Sequence, residues 1–316
     1  MNLISEGPTS EFAFKAVGRE LSNWGRWGPD DQVGTVNFIT PAKRVAAAHL
    51  VRTGRVISLG MPFSKAGPQP SGDARFNPIH RMTRLLTDAV DVDGFSAADD
   101  VITMPLQCAT QWDGLAHVGY DGFAYNGVPS SAVTAIAGAT RNSFSEVAPL
   151  LVSRGVLLDI AALRGVDMLG PGEAITAADL DAAERRQGVL VGSGDVLLVR
   201  TGWYRHFLAG RMATYLGPPS PGLDLSTCRW LHEREIAAVA ADNLAVEVMP
   251  SSEPHSLVPL HSVLIRDMGM TLGEMFDLEE LARDCAADGV YECLFSGVGL
   301  DIPGAVGSPV TPVVIK

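Results

Sequence analysis

The sequence predicts an α/β or mixed α+β protein, a single globular unit with one short extension. Three observations carry that expectation. Short, continuous runs of Val, Leu and Ile recur along the chain, as strands buried on both faces require. Gly and Pro punctuate these runs closely. Capped helical segments fall between some of the strands but not all, so strict strand-helix alternation is not expected.

Taken in order, the segment up to about Thr40 is rich in Trp, Gly and charge (NWGRWGPDDQVGTVNFIT) and lacks a clear period. It reads as an irregular arm packed on the body. Thr40 then caps a helix with Pro41 at its first position, and Val45, Ala48, Leu50 and Val51 follow until Gly54 ends it. Residues 1–54 thus form an arm and first helix, and residues 55–316 a body. Strands are expected over Arg55–Leu59, Arg84–Leu86, Val101–Leu106, Val156–Ile160, Val196–Arg200, Ala237–Ala241, His261–Ile265 and Tyr291–Phe295. Helices are expected over Ile175–Gln187, with Thr176 as cap and Asp179 in the first turn, and over Asp224–Glu235. A third begins at Asp277 with Glu280 as its capping-box partner. The Gly217–Gly222 stretch, rich in Pro, reads as a surface loop.

Composition narrows the function classes. A net charge of -12 over 316 residues disfavours nucleic acid and anionic membrane surfaces, which need clustered Lys and Arg. There is no apolar run of about 18 residues to span a bilayer. The first residues do not read as a secretory signal, and the four cysteines form no C-x-x-C pair, so a cytoplasmic location is expected.

The chemistry concentrates in Gln107-Cys-Ala-Thr110-Gln111-Trp-Asp113-Gly-Leu-Ala-His117, directly after a predicted strand. Alternate residues of an extended segment share a face, so Gln111 and Asp113 project together. A second group lies far downstream, where His261 and Glu274 flank a strand-loop-helix unit that would bring them to the first group. From spacing alone a polar loop covering a sheet end is an equal alternative. Cys108 with His117 lacks a relay residue for a cysteine hydrolase. Gly192-Ser193-Gly194 lacks the serine-hydrolase elbow, and no Gly-rich phosphate loop occurs.

The segment resembles the signature of the cyclase family, which includes bacterial kynurenine formamidase and isatin hydrolase: His-x-Gly-Thr-His-x-Asp-x-Pro-x-His. Further likeness lies in Gly194-Asp-Val-Leu-Leu-Val-Arg-Thr-Gly202, in His261-Ser-Val-Leu-Ile with Leu272-Gly-Glu274, and in Gly297-Val-Gly299 with Gly307-Ser-Pro-Val-Thr-Pro312. The resemblance implies a swivelling β/β/α fold, homodimers or homotetramers, and a small-molecule substrate. It implies a metal site at Gln107, Gln111 and Asp113, completed by His261 and Glu274 as in two-metal members, with His117 as general acid/base.

Both signature metal histidines are Gln here, and a Gln carbonyl is a weak, hard ligand. Two alternatives stand: a divalent ion (Mn²⁺ or Zn²⁺, or Mg²⁺ on the oxygen donors), or a metal-free site in which Gln107 and Gln111 donate to the substrate. With metal, the expected reaction is hydrolysis of a small cyclic amide, lactam, lactone or formamide by an activated water. Thr110 would position that water or the substrate oxygen, and His117 would move the proton. Without metal, Asp113 and His117 suit an easier cyclisation, dehydration or isomerisation. A non-catalytic small-molecule-binding relative is the remaining alternative. Trp112, Tyr120, Tyr125 and Phe38 are expected to line an apolar substrate pocket.

Overall fold

Nine strands build the main sheet of the computed structural model, which describes residues 12–69, 75–88, 90–253 and 255–316. In chain order they are β1 (Val56–Ser58), β2 (Gln111–Asp113), β3 (Val152–Asp159), β4 (Val196–Arg200), β5 (Ala238–Ala241), β6 (Thr271–Glu274), β7 (Glu292–Ser296), β8 (Gly307–Pro309) and β9 (Val313–Ile315). Their spatial order is β1-β9-β7-β3-β4-β5-β6-β2-β8. The central strands β3, β4, β5 and β6 run parallel, and antiparallel strands flank them on both sides.

The parallel centre follows from its residues. β4 and β5 are buried along their whole length, so both faces need apolar cover. Leu197, Val199, Val239 and Leu272 pack on one side with Leu180, Leu231 and Leu264 from helical segments. Val196, Leu198, Ala238 and Ala240 pack on the other with Phe276, Leu281, Phe295 and Trp112. Each Val, Leu or Phe among these contributes about 1.5–3 kcal/mol on burial. The architecture is therefore the mixed α/β one that the sequence predicts.

The helix Ala177–Gln187 starts as expected: Thr176 accepts from Asp179 N–H, and Asp179 accepts from Thr176 N–H, closing a capping box. Gly188 ends it in the left-handed region at φ 65°. Thr40 likewise caps Pro41–Ala48, accepting from Lys43 N–H. That helix stops at Ala48, before Gly54, because the chain must turn to place β1 beside β9.

Several elements differ from the expectation. The arm is not wholly irregular, since Ala13–Glu20 is helical and buries Phe14. The strand expected at Arg84–Leu86 lies at Ile79–Arg84, and it pairs with Asp99–Thr103 as a separate exposed hairpin outside the main sheet. The run His261–Ile265 is not a strand. Pro259–His261 is a helical turn and Ser262–Asp267 a π-helix, with Val263, Leu264 and Ile265 buried. A short run that is apolar on every side carries no period to separate the two possibilities. The helix expected from Asp224 is Thr227–Glu233, with Asp224 accepting from Ser226 N–H ahead of it. The last helix is Glu279–Asp288: Asp277 accepts from Glu279 N–H, whereas Glu280 turns outward to Arg55. Within the Gly217–Gly222 loop, Ser220 to Gly222 are buried, and Gly222–Leu223 pairs with Ala174–Ile175. Among the described residues no helix is long and apolar enough to cross a membrane.

Candidate active site

β2 lies between β6 and β8, with Gln111 opposite Glu274 and Asp113 opposite Leu272. The two-residue period puts Gln111, Asp113 and Glu274 on one face and Trp112 on the other. On the site face, Gln111 Nε2 donates to Glu274 Oε2 at 2.7 Å and lies 3.4 Å from Asp113 Oδ1. The reverse amide orientation would set an oxygen against two carboxylates, so the donor assignment follows from charge. Gln111 Oε1 is then buried with no partner among the described residues.

The π-helical segment delivers His261 to the same place. Its Nε2 is 3.3 Å from Glu274 Oε1, and its Nδ1 is hydrogen-bonded to Glu247 Oε1. Glu247 also accepts the backbone N–H groups of His261 and Leu260, at 3.0 and 3.2 Å. The ligand-type atoms of Asp113, His261 and Glu274 all lie within 4.8 Å of one another, and all three residues are buried. His117 follows in the turn after β2 and sets its Nε2 3.7 Å from Asp113 Oδ1, still partly open to solvent.

Burial and the neighbouring Glu274 push the Asp113 carboxyl up to about 6. Burial lowers the His117 pKa against the pull of Asp113, leaving a neutral imidazole at neutral pH. For His261 burial also works against charge, but the hydrogen bonds to Glu247 and Glu274 outweigh it and raise the ring to about 10.

The donor set fits a hard divalent cation. It offers two carboxylates and one imidazole, and Glu247 orients the imidazole from behind as a carboxylate does behind a metal-bound histidine. Gln111, whose Nε2 bonds Glu274, carries on the same amide a neutral oxygen that has no partner among the described residues. Gln107 approaches from the β8 side, where Gly307 pairs with Asp113. Its Nε2 is buried without a partner among the described residues, beside Gly307, where a Cβ would come within 2.6 Å of it.

The convergence of the signature segment with His261 and Glu274 agrees with what comparison shows: residues 40–248 match the family model described as putative cyclase. The chain belongs to the cyclase family. A solved structure described as a novel cyclase is 42% identical, with a TM-score of 0.86 over 93% of this chain and 99% of that one. Isatin hydrolase A from Ralstonia solanacearum is 19% identical, with a TM-score of 0.61 over 98% and 100% of the two chains. A predicted metal-dependent hydrolase from Bacillus stearothermophilus is 15% identical, with a TM-score of 0.51 over 82% and 97%. These last two likenesses show the fold alone. No curated protein matches the chain significantly.

Within this family fold, the structure departs from the sequence expectations at five residues. Thr110 Oγ1 donates to Met275 O at 2.6 Å and accepts from Met61 N–H at 2.9 Å, so its hydroxyl braces two loops. Trp112 faces the core, with Nε1 on Gly297 O and its ring against Phe276 and Phe295. Tyr125 is fully buried with its hydroxyl on Asp31, and Tyr120 bonds Asp267 while packing on Phe14. Phe38 packs on Trp27 near Gly194, which precedes β4, whereas Glu274 closes β6 at the other end of the parallel strands. None of these four aromatic rings lines the site.

Cys108 is buried, with Sγ on Phe76 O, and burial pushes its thiol up to about 11, which disfavours the thiolate a nucleophile needs. Glu247 was missed by sequence reasoning, although an acid inside the apolar run Ala245-Val-Glu-Val248 signals a buried, partnered carboxylate.

Proposed function

We propose that this member of the cyclase family is a hydrolase of a small cyclic amide, lactam, lactone or formamide, assisted by a divalent cation and with His117 as general acid/base. The observation that carries the reading is the buried triad Asp113, His261 and Glu274 with the neutral His117 imidazole beside it. The fold shared with isatin hydrolases supports it.

When bound, the cation would polarise the carbonyl and acidify water. Asp113, Glu274 and His261 would hold it, and Glu247 keeps the His261 ring turned with Nε2 toward the other two. His117 Nε2 takes the proton as water oxygen bonds to the carbonyl carbon. The same nitrogen returns that proton to the leaving nitrogen or oxygen as the carbonyl-heteroatom bond breaks, so atoms and charge balance. Asp113 stabilises the imidazolium formed in between.

One observation favours a second reading, a metal-independent cyclisation, dehydration or isomerisation by Asp113 and His117. Gln111 Nε2 already neutralises part of the paired carboxylates that a cation would otherwise bridge. A single experiment separates the two. Hydrolysis of a panel such as dihydrocoumarin and N-formylaniline is followed on chelator-stripped protein with Mn²⁺, Mg²⁺ or Zn²⁺ restored, alongside His117→Ala. Cation-dependent turnover that falls about 10²–10⁴-fold in the variant, with Tm unchanged, supports the hydrolase. Turnover indifferent to cation supports the second reading. Equal turnover in both proteins sinks both.

The exposed hairpin Ile79–Arg84/Asp99–Thr103 carries Met82, Val101 and Ile102 in solvent, which supports a homo-oligomer.

A further inference from the structure

Two buried amide groups flank Asp113, one toward each neighbouring strand. On the β6 side, Gln111 spends its Nε2 on Glu274 Oε2 at 2.7 Å, and the same planar amide holds Oε1 buried with no partner among the described residues. On the β8 side, Gln107 Nε2 is also buried and without a partner among them. A Cβ on Gly307, which pairs with Asp113, would lie 2.6 Å from that nitrogen and 3.6 Å from Asp113 Cα. Glycine at this position gives the Gln107 amide its place beside Asp113.

The turn that carries both side chains is held in shape. Ala109 adopts φ 57°, a left-handed conformation that a residue with a Cβ takes only where its surroundings impose it. Thr110 supplies part of that constraint through Met275 O and Met61 N–H. Gln107 as a whole residue is half-buried, so its side of the site is not sealed from solvent. A buried donor and a buried acceptor left unpaired are each unfavourable, and beside a reaction centre they point to partners supplied from outside the chain. One donor and one acceptor complement the C=O and N–H of a secondary amide.

We propose that the two glutamines read the substrate's amide group, Gln107 Nε2 donating to its carbonyl oxygen and Gln111 Oε1 accepting its N–H. The assignment rests on the hydrolase reading and narrows its substrate class to lactams, imides and formamides that carry N–H. Lactones and N-alkylated amides are disfavoured, because they leave the buried Gln111 oxygen unpaired. A site built to bond an N–H rejects an analogue that lacks it more sharply than an apolar pocket rejects a change of shape.

The test compares dihydrocarbostyril with β-tetralone, two bicycles of like shape that carry N–H and CH₂ at the same position. Binding is read by calorimetric titration of the whole chain. The wild type is expected to bind the lactam about tenfold more tightly, one hydrogen bond's worth. Gln111→Met should bring the lactam down to the ketone level and leave the ketone unmoved. Gln107→Met should weaken both about tenfold, with Tm no lower, since it removes a donor that has no bond to lose. Equal binding of the two probes by the wild type overturns the assignment, and that comparison needs no variant to fold. A lactam preference that survives in Gln111→Met overturns it as well, as does unchanged binding in Gln107→Met. The expected binding pattern in a protein that hydrolyses no amide upholds the pair and removes only the hydrolase. Hydrolysis of dihydrocoumarin as fast as of dihydrocarbostyril keeps the hydrolase and overturns the narrowing.

Discussion

At the scale of single residues, the site depends on which group partners each buried carboxylate: Gln111 for Glu274, and the His261 ring for Glu247. That Gln111 and Asp113 share a face followed from the two-residue period of an extended chain, and their side chains do meet, 3.4 Å apart. Glu247 was not legible, because nothing local says which buried carboxylate will stand behind which imidazole. Its role is nevertheless specific: it accepts three donors, two backbone N–H groups and His261 Nδ1. Glu247→Gln keeps the volume but turns an amide donor toward those donors. It should cost about 3–5 kcal/mol of stability, the range for breaking a buried charged pair. Cation affinity should fall about 10–100-fold, the usual effect of losing a carboxylate behind a metal histidine. Calorimetric unfolding and Mn²⁺ titration read the two effects, and an unchanged Mn²⁺ affinity would show that Glu247 serves the fold alone.

At the scale of elements, caps were readable and buried runs were not. Thr176 and Asp179 stand three residues apart ahead of an amphipathic run, and the structure closes both bonds of the box. His261–Ile265 looked like a strand because apolar residues on every side erase the period that separates helix from strand. The cap also yields a pH prediction. Burial would raise the Asp179 carboxyl, but its bonds from Thr176 and its contact with Arg164 win, and its pKa lies below the ordinary 3.8. A depressed folded pKa means stability present above the unfolded value and lost as pH falls through the folded one. Asp179→Asn should therefore cost about 1 kcal/mol at pH 7. The gap to wild type should close as pH drops below the ordinary carboxyl range, where the wild-type group also becomes neutral. Chemical denaturation at both pH values decides it, and a gap that holds constant into acid would mean the carboxylate's charge plays no part.

For the whole molecule, what escaped the sequence was pairing. β2 is three residues long and sits between strands more than 150 residues further along the chain, so no local signal could place it in the main sheet. That non-local pairing creates the site, since it sets Glu274 opposite Gln111 and so gathers Asp113, Glu274 and Glu247 around one imidazole. Three buried carboxylates against one ring that carries at most a single charge leave the centre of the protein short of positive charge, and burial has already pushed Asp113 up to about 6 as a result. A cation bound there would relieve the deficit in the folded state only, because the unfolded chain cannot gather these ligands. Linkage then converts affinity into stability, about 2.7 kcal/mol at a hundredfold excess over Kd, or a rise of a few degrees in Tm. Mn²⁺ added to chelator-stripped protein should therefore raise Tm in proportion to the logarithm of its concentration. Asp113→Asn should flatten that response, since it removes one charged ligand without changing the size of the side chain. A Tm indifferent to Mn²⁺, Mg²⁺ and Zn²⁺ alike would mean that Gln111 and the His261 proton already balance the cluster, and the chemistry would pass to Asp113 and His117 alone.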